Sequence, residues 1–288
     1  MAILTGIVAL FALMGYSLFG WAGVLFILGV SLFLNLLTLG SSARLILKIH
    51  RARPVTSWEA PQLHQIANAL ADRADIPVPR LAIYPSDMPN AFALGPRRDE
   101  GVVAVSSGLL RVLDTREMTG VLAHEFAHLK NRDSLLSLSA GLFVQAISTL
   151  SSLFGFLMLF LFLTGTWSTI ETRLLPIIFL VTFAPHAAIA LQAVLMRTRE
   201  FLADRDATLL TGDPRGLANA LYKLERYNRY LSGLYRRFRF IYTSDTGSGP
   251  RWLRTHPSTE ERIQNLMELA EKTVAHPSLG YRPHVVAL

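Results

Sequence analysis

The chain has 288 residues, a formal net charge of +7 and no cysteine, which excludes a disulfide framework, a thiolate nucleophile and a thiolate metal site; any metal must be held by His, Asp or Glu. Hydrophobic residues make up 51% and charged residues only 17%, and the mean hydropathy is +0.35, a balance that points to a membrane protein. The basic excess fits loops at the inner face of a membrane and does not require nucleic acid.

Residues 1–42 carry no charged side chain. One helical span takes about 20 apolar residues, so the stretch is long enough for two, with a turn at Gly15-Tyr16-Ser17 and Gly20. The expectation is a transmembrane hairpin over about 2–19 and 21–40. A signal peptide would carry a charged n-region and a shorter apolar core. Arg44, Lys48, Arg51 and Arg53 follow, a cluster that the positive-inside rule places in the cytoplasm.

The segment 43–134 reads as a cytoplasmic region. Trp58, Leu63, Ile66 and Leu70 at helical spacing predict an amphipathic helix over 58–73. Leu81 to Tyr84 predicts a short strand, and Asn90–Leu94 and Val102–Val105 predict two more, joined by the polar loop Gly95 to Gly101. Asp114 with Glu117 forms a capping box that opens a further helix. That helix carries His124-Glu125-Phe126-Ala127-His128. Residues four apart share one helical face, the spacing two imidazoles need to reach one zinc ion. Glu125 projects beside them, placed to take a proton from an attacking water.

A second apolar block spans 135–197. Leu135–Thr164 and Leu174–Met196 are free of Asp, Glu, Lys and Arg and predict two more spans (about 135–164 and 174–196), with 165–173 on the far side. Lys130, Arg132, Arg197 and Arg199 flank the cytoplasmic ends. His186 lies inside the last span. At 1.5 Å per residue it is about 21 Å along the helix from Glu200, too far to share a metal with it, while Gln145 lies at a similar depth, about 25 Å from His128. A structural His186–Gln145 hydrogen bond is expected.

The segment 198–288 is the second cytoplasmic region. A catalytic zinc takes three protein ligands and keeps one position open, so the two histidines need a partner. Arg199-Glu200-Phe201-Leu202-Ala203-Asp204 supplies two carboxylates on one helical face. Glu200 can close the ligand set, and Asp204 can accept the N–H of a ligating histidine. Asp206 is chemically competent too but points elsewhere. Pro214–Tyr227 predicts an amphipathic helix. Tyr230–Tyr242 is basic and aromatic, a composition that suits a membrane interface better than stacked nucleic acid. Ser258 and Glu261 form another capping box, opening a helix through about Lys272.

These motifs together resemble the HtpX-type membrane zinc endopeptidases, in the wider family that includes the CAAX prenyl endoproteases. The resemblance rests on His124–His128, on Arg199–Asp204, on Asp133 just after the second histidine, on Pro89-Asn90-Ala91-Phe92-Ala93, and on Thr255-His256-Pro257-Ser258 followed by Glu261-Arg262-Ile263. It implies one Zn2+ per chain on His124, His128 and Glu200, Glu125 as general base, His256 as oxyanion donor, and Asp204 and Asp133 supporting the ligands. Asn90, Ala91, Phe92 and Ala93 can form an edge strand that receives an extended polypeptide.

The expected fold is therefore a mainly α membrane protein with four transmembrane helices and a cytoplasmic zincin-like catalytic region with a small β-sheet. The partners expected are the lipid bilayer and polypeptide substrates, and no nucleic acid. The function expected is an endopeptidase acting on misfolded or damaged membrane proteins in a bacterial inner membrane, its active site facing the cytoplasm. Two rivals are a processing protease for a defined, for example prenylated, substrate and a zinc-bound inactive scaffold. Four spans disfavour the first, and an intact Glu125 disfavours the second.

Overall fold

The computed structural model describes residues 42–95, 100–164, 175–236 and 257–275, with isolated positions between 5 and 29. In chain order the described elements are α1 (Ser42–Ile49), β1 (Arg53–Pro54), α2 (Pro61–Ala74), β2 (Arg80–Tyr84), β3 (Ala91–Leu94), β4 (Val102–Ser106), α3 (Ser107–Val112), α4 (Thr115–Asn131), α5 (Asp133–Leu163), α6 (Leu175–Thr211), α7 (Pro214–Arg236) and α8 (Thr259–Ala275). Most of the hairpin expected over 2–40 lies outside the described residues, as do the 165–173 connection and His256.

The chain divides into two compact units, one comprising 40–135, 198–248 and 257–288, the other 1–39, 136–197 and 249–256. In the first, the sheet has the order β1-β2-β4-β3. β1 runs antiparallel to β2, β2 parallel to β4 with Arg80 opposite Val102, and β3 antiparallel to β4 with Ala91 opposite Val105. Every residue of β4 is buried. Val103 and Val105 join the main core, while Val102 and Ala104 join a second cluster with Ala82 and Tyr84, against which Leu47 of α1 and Phe92 pack. A strand covered on both faces reads as a continuous apolar run rather than an alternating one, which is what Val102-Val103-Ala104-Val105 shows. β3 forms one edge of the sheet.

The helices of this unit bury one face each. α2 contributes Leu63, Ile66, Leu70 and Ala74 to the main core, and α4 contributes Met118, Val121, Leu122, Phe126 and Leu129. The capping box at Asp114 and Glu117 is formed, each side chain accepting from the other's backbone N–H. Gly120 lets α7 approach α4: a Cβ there would lie 2.8 Å from the backbone nitrogen of Leu217. Leu217 and Ala220 of α7 and Leu266 of α8 complete the core.

In the other unit, the apolar stretches of α5 and α6 pack through Ala140, Val144, Ile147, Val181, Ala184 and Ala188, and Ser151 donates to the Val181 carbonyl at 2.6 Å. Among the described residues these two helices, of 31 and 37 residues, are long and apolar enough to cross a membrane.

Several expectations needed correction. Trp58 does not join the face of α2, which starts three residues later at Pro61, a residue suited to the first helical turn; Trp58 stands 93% exposed. The short elements α1, β1 and α3 were not foreseen, because eight residues or fewer give too little periodicity to read. The basic, aromatic run continues α7 as far as Arg236. The His186–Gln145 bond is not made: Gln145 donates to Thr149 at 3.4 Å, and His186 lies against the Phe183 ring. Counting along the helices matched their depth but did not fix their rotation, and both side chains are exposed.

Candidate metal centre and active site

Two helices bring the site together. α4 places His124 and His128 one turn apart, and their Nε2 atoms lie 3.1 Å from each other. α6 places Glu200 opposite, with Oε2 3.6 Å from His124 Nε2 and Oε1 3.8 Å from His128 Nε2. One donor atom from each residue falls within 4.8 Å of the others. A tetrahedral zinc with Zn–N and Zn–O distances near 2.1 Å separates its ligand atoms by about 3.4 Å. The nitrogen and oxygen donors thus fit such an ion without rearrangement, and no thiolate competes for a softer metal.

The other nitrogen of each imidazole is occupied. His124 Nδ1 lies 2.9 Å from Asp204 Oδ1, and His128 Nδ1 lies 2.7 Å from Asp133 Oδ2. A carboxylate on Nδ1 fixes the tautomer that keeps the proton there, leaves Nε2 free to bind a metal, and raises the basicity of the ring. Each carboxylate is held in turn by an arginine. Arg262 donates from Nε and Nη2 to the two oxygens of Asp204, at 2.8 and 2.6 Å. Arg199 pairs with Asp133. Asp204 is 2% exposed and Asp133 5%, and an ionised carboxylate at such depth requires a charged partner.

These contacts set the charge states. Burial and the Arg262 charge push the His124 imidazole down, but its contacts with Asp204 and Glu200 outweigh them and raise it to about 9. Burial lifts the Asp204 carboxyl, yet Arg262 and His124 bring it below the ordinary aspartate range. Metal binding at Nε2 would compete with a proton there, so the affinity of such a site rises with pH.

Glu125 is buried beside the histidines. Its charge also reaches Tyr84, whose phenol is raised first by burial and further by Glu125. Asp206 turns away and accepts from Asn131 at 2.7 Å. The structure thus gathers His124, Glu125, His128, Asp133, Glu200 and Asp204 as the sequence suggested. The roles of Arg199 and Arg262 were missed. One flanked a span and the other sat in the C-terminal motif, and the available signal was only that two buried aspartates need counter-charges.

β3 presents a specific set of groups. Ser106 N–H donates to the Asn90 carbonyl at 2.9 Å, which makes Asn90–Ser106 a hydrogen-bonded pair of the antiparallel ladder. Alternation then aims the N–H and C=O groups of Ala91 and Ala93 at the open edge. Consistently, the Ser134 hydroxyl reaches the Ala93 carbonyl there at 3.4 Å.

A two-histidine, one-glutamate cluster with a glutamate between the histidines, in a chain that also carries long apolar helices, defines a membrane-associated metallopeptidase. The model of "Peptidase family M48" matches residues 57–270. The "Protease HtpX homolog" of Salinibacter ruber is 38% identical over 275 residues, covering 93% of this chain and 96% of that protein. The homolog of Thermococcus kodakarensis is 39% identical over 282 residues, covering 94% of each. The crystal structure of Ste24p from S. mikatae superposes with a TM-score of 0.56 at 20% identity, over 92% of this chain and 62% of that one, a likeness of fold. The chain belongs to Peptidase family M48 and is a membrane-bound metalloprotease.

Proposed function

We propose that the protein is a zinc endopeptidase of the gluzincin type, with His124, His128 and Glu200 holding one Zn2+ and Glu125 as general base. The observation that carries this is the triangle of two Nε2 atoms and one carboxylate, with edges of 3.1, 3.6 and 3.8 Å. When bound, the zinc acidifies water and polarises the scissile carbonyl. A Glu125 carboxylate oxygen accepts the proton of the attacking water and passes it to the leaving nitrogen, so that a C–O bond forms as the C–N bond breaks. Asp204 and Asp133 keep both imidazoles aimed. His256 is assigned to the oxyanion by resemblance alone.

The substrate is an extended polypeptide added to the outer edge of β3 in the stretch Asn90–Ala93, pairing with Ala91 and, in place of the long Ser134 contact, with Ala93. Main-chain pairing reads backbone more than side chains and suits a protease that removes misfolded or damaged membrane proteins. Four spans, a bacterial inner membrane and a cytoplasmic site complete the reading, supported by the basic flanks of the apolar segments. Casein cleavage by detergent-purified protein, stopped by a chelator and restored by Zn2+ over other divalent ions, tests it. Cleavage that persists in chelator overturns it.

A further inference from the structure

We propose that Arg262 is a positioning residue of the metal centre, fixing His124 through Asp204 and thereby tying metal binding to the docking of α8. The inference rests on the metal-centre reading above. Arg262 lies 58 positions beyond Asp204, on a helix that contributes no ligand. Its side chain is nonetheless 14% exposed, against 2% for Asp204. It grips both carboxylate oxygens at 2.8 and 2.6 Å, a planar two-point fork. One of those oxygens, Oδ1, also faces His124 Nδ1 at 2.9 Å. Rotation of the Asp204 carboxylate would release the imidazole, and the fork is what opposes that rotation.

A different role is conceivable for a guanidinium here. Arg262 Nη1 lies 3.4 Å from Glu200 Oε2, and Nη2 lies 3.4 Å from His124 Nε2. A positive charge so placed could act as a stand-in that neutralises the ligands and competes with the incoming cation. The distances decide between the two roles. The Asp204 contacts are short and form a two-point fork, whereas those to the ligands are all longer, 3.3 and 3.4 Å from Nη2 to the two His124 nitrogens and 3.4 Å to Glu200, so the fork dominates. His128 has an equivalent arrangement in Asp133 and Arg199, but Arg199 is the chain neighbour of Glu200 and arrives with it. Asp133 follows the end of α4 directly, so only the His124 arm draws in a helix as distant in sequence as α8.

The two roles give opposite outcomes for zinc affinity, a readout independent of turnover. Full-length protein in detergent is stripped by chelator dialysis, and Zn2+ affinity is measured by competition with a chromophoric chelator. Arg262→Lys keeps the charge but not the fork. Positioning predicts that both Arg262→Lys and Arg262→Gln bind Zn2+ about 10- to 100-fold more weakly, the usual loss for a group supporting a ligand. Because Arg262 acts through Asp204, Arg262→Gln added to Asp204→Asn should weaken binding less than about 3-fold further, as coupled sites do. A Lys variant that binds like the parent, a Gln variant that binds more tightly, or losses that multiply fully in the double variant would each overturn the proposal. A parent that binds no Zn2+ overturns the metal-centre reading and this inference with it. A parent that binds Zn2+ while Arg262→Lys is unaffected overturns the inference alone.

Discussion

His128 Nδ1 lies 2.7 Å from Asp133 Oδ2, although residues five apart on an unbroken helix point about 140° away from each other. The contact exists because Arg132 adopts the left-handed conformation, with φ 56° and ψ 40°, and ends α4. The chain then restarts as α5 at Asp133, with the carboxylate turned back onto the imidazole. An L-residue in this conformation costs about 1–2 kcal/mol, and glycine is largely exempt. Arg132 is exposed, so substitutions there probe the backbone rather than packing. Arg132→Gly should melt at or above the parent temperature and keep its Zn2+ affinity. Arg132→Ile, β-branched, should melt lower and bind Zn2+ more weakly. Equal melting and equal affinity in the Ile variant would show that the helix break does not hold Asp133.

Glu125→Gln keeps size and a polar tip but removes the base. Proteolysis should fall at least about 100-fold, the low end for general acid–base catalysis, while metal content stays at the parent value because Glu125 lies outside the ligand triangle. Cleavage rates and metal-to-protein ratios on one preparation check both halves. Parent-like cleavage would remove Glu125 from the mechanism.

Three carboxylates on α6 separate by role. Glu200→Ala should lose most bound metal and all measurable activity. Asp204→Ala should weaken metal binding about 10- to 100-fold. Asp206→Ala should leave it unchanged, since Asp206 faces Asn131. Dialysis of the three variants against one chelator buffer ranks them. An empty site in Asp204→Ala with a full one in Glu200→Ala would exchange the two assignments.

Gly120→Ala tests the packing beneath the histidine helix. The new methyl would meet the Leu217 backbone at 2.8 and 2.9 Å, and backbone cannot swing aside as a side chain can. Overpacking of this kind costs about 1–3 kcal/mol, so thermal unfolding should begin several degrees lower. An unchanged melt would mean that α7 shifts freely on α4.

Topology follows from charge. Reporter fusions after residue 50 and after residue 288 should report the cytoplasm, and a fusion within 165–173 the opposite side. A reporter at residue 288 that reads outside would remove the proposed orientation.

The grouping of the residues proposed for the site was legible in the sequence because it is local. The spacing of His124, Glu125 and His128 fixes their shared face through helix geometry alone, and the Glu200–Asp204 interval does the same on α6. The capping boxes at Asp114 and Ser258 were readable for the same reason, and both are formed. The apolar runs of α5 and α6 announced themselves by length. Tertiary structure decided what depends on long-range approach. It brought Arg262 across 58 residues onto Asp204, chose Asp204 for His124 and Asp133 for His128, and set β3 at the sheet edge with the backbone groups of Ala91 and Ala93 turned outward while their side chains pack on the core. No periodicity encodes which arginine will meet which buried carboxylate. That pairing is selected by the desolvation cost an unpaired charge would carry once the helices have packed.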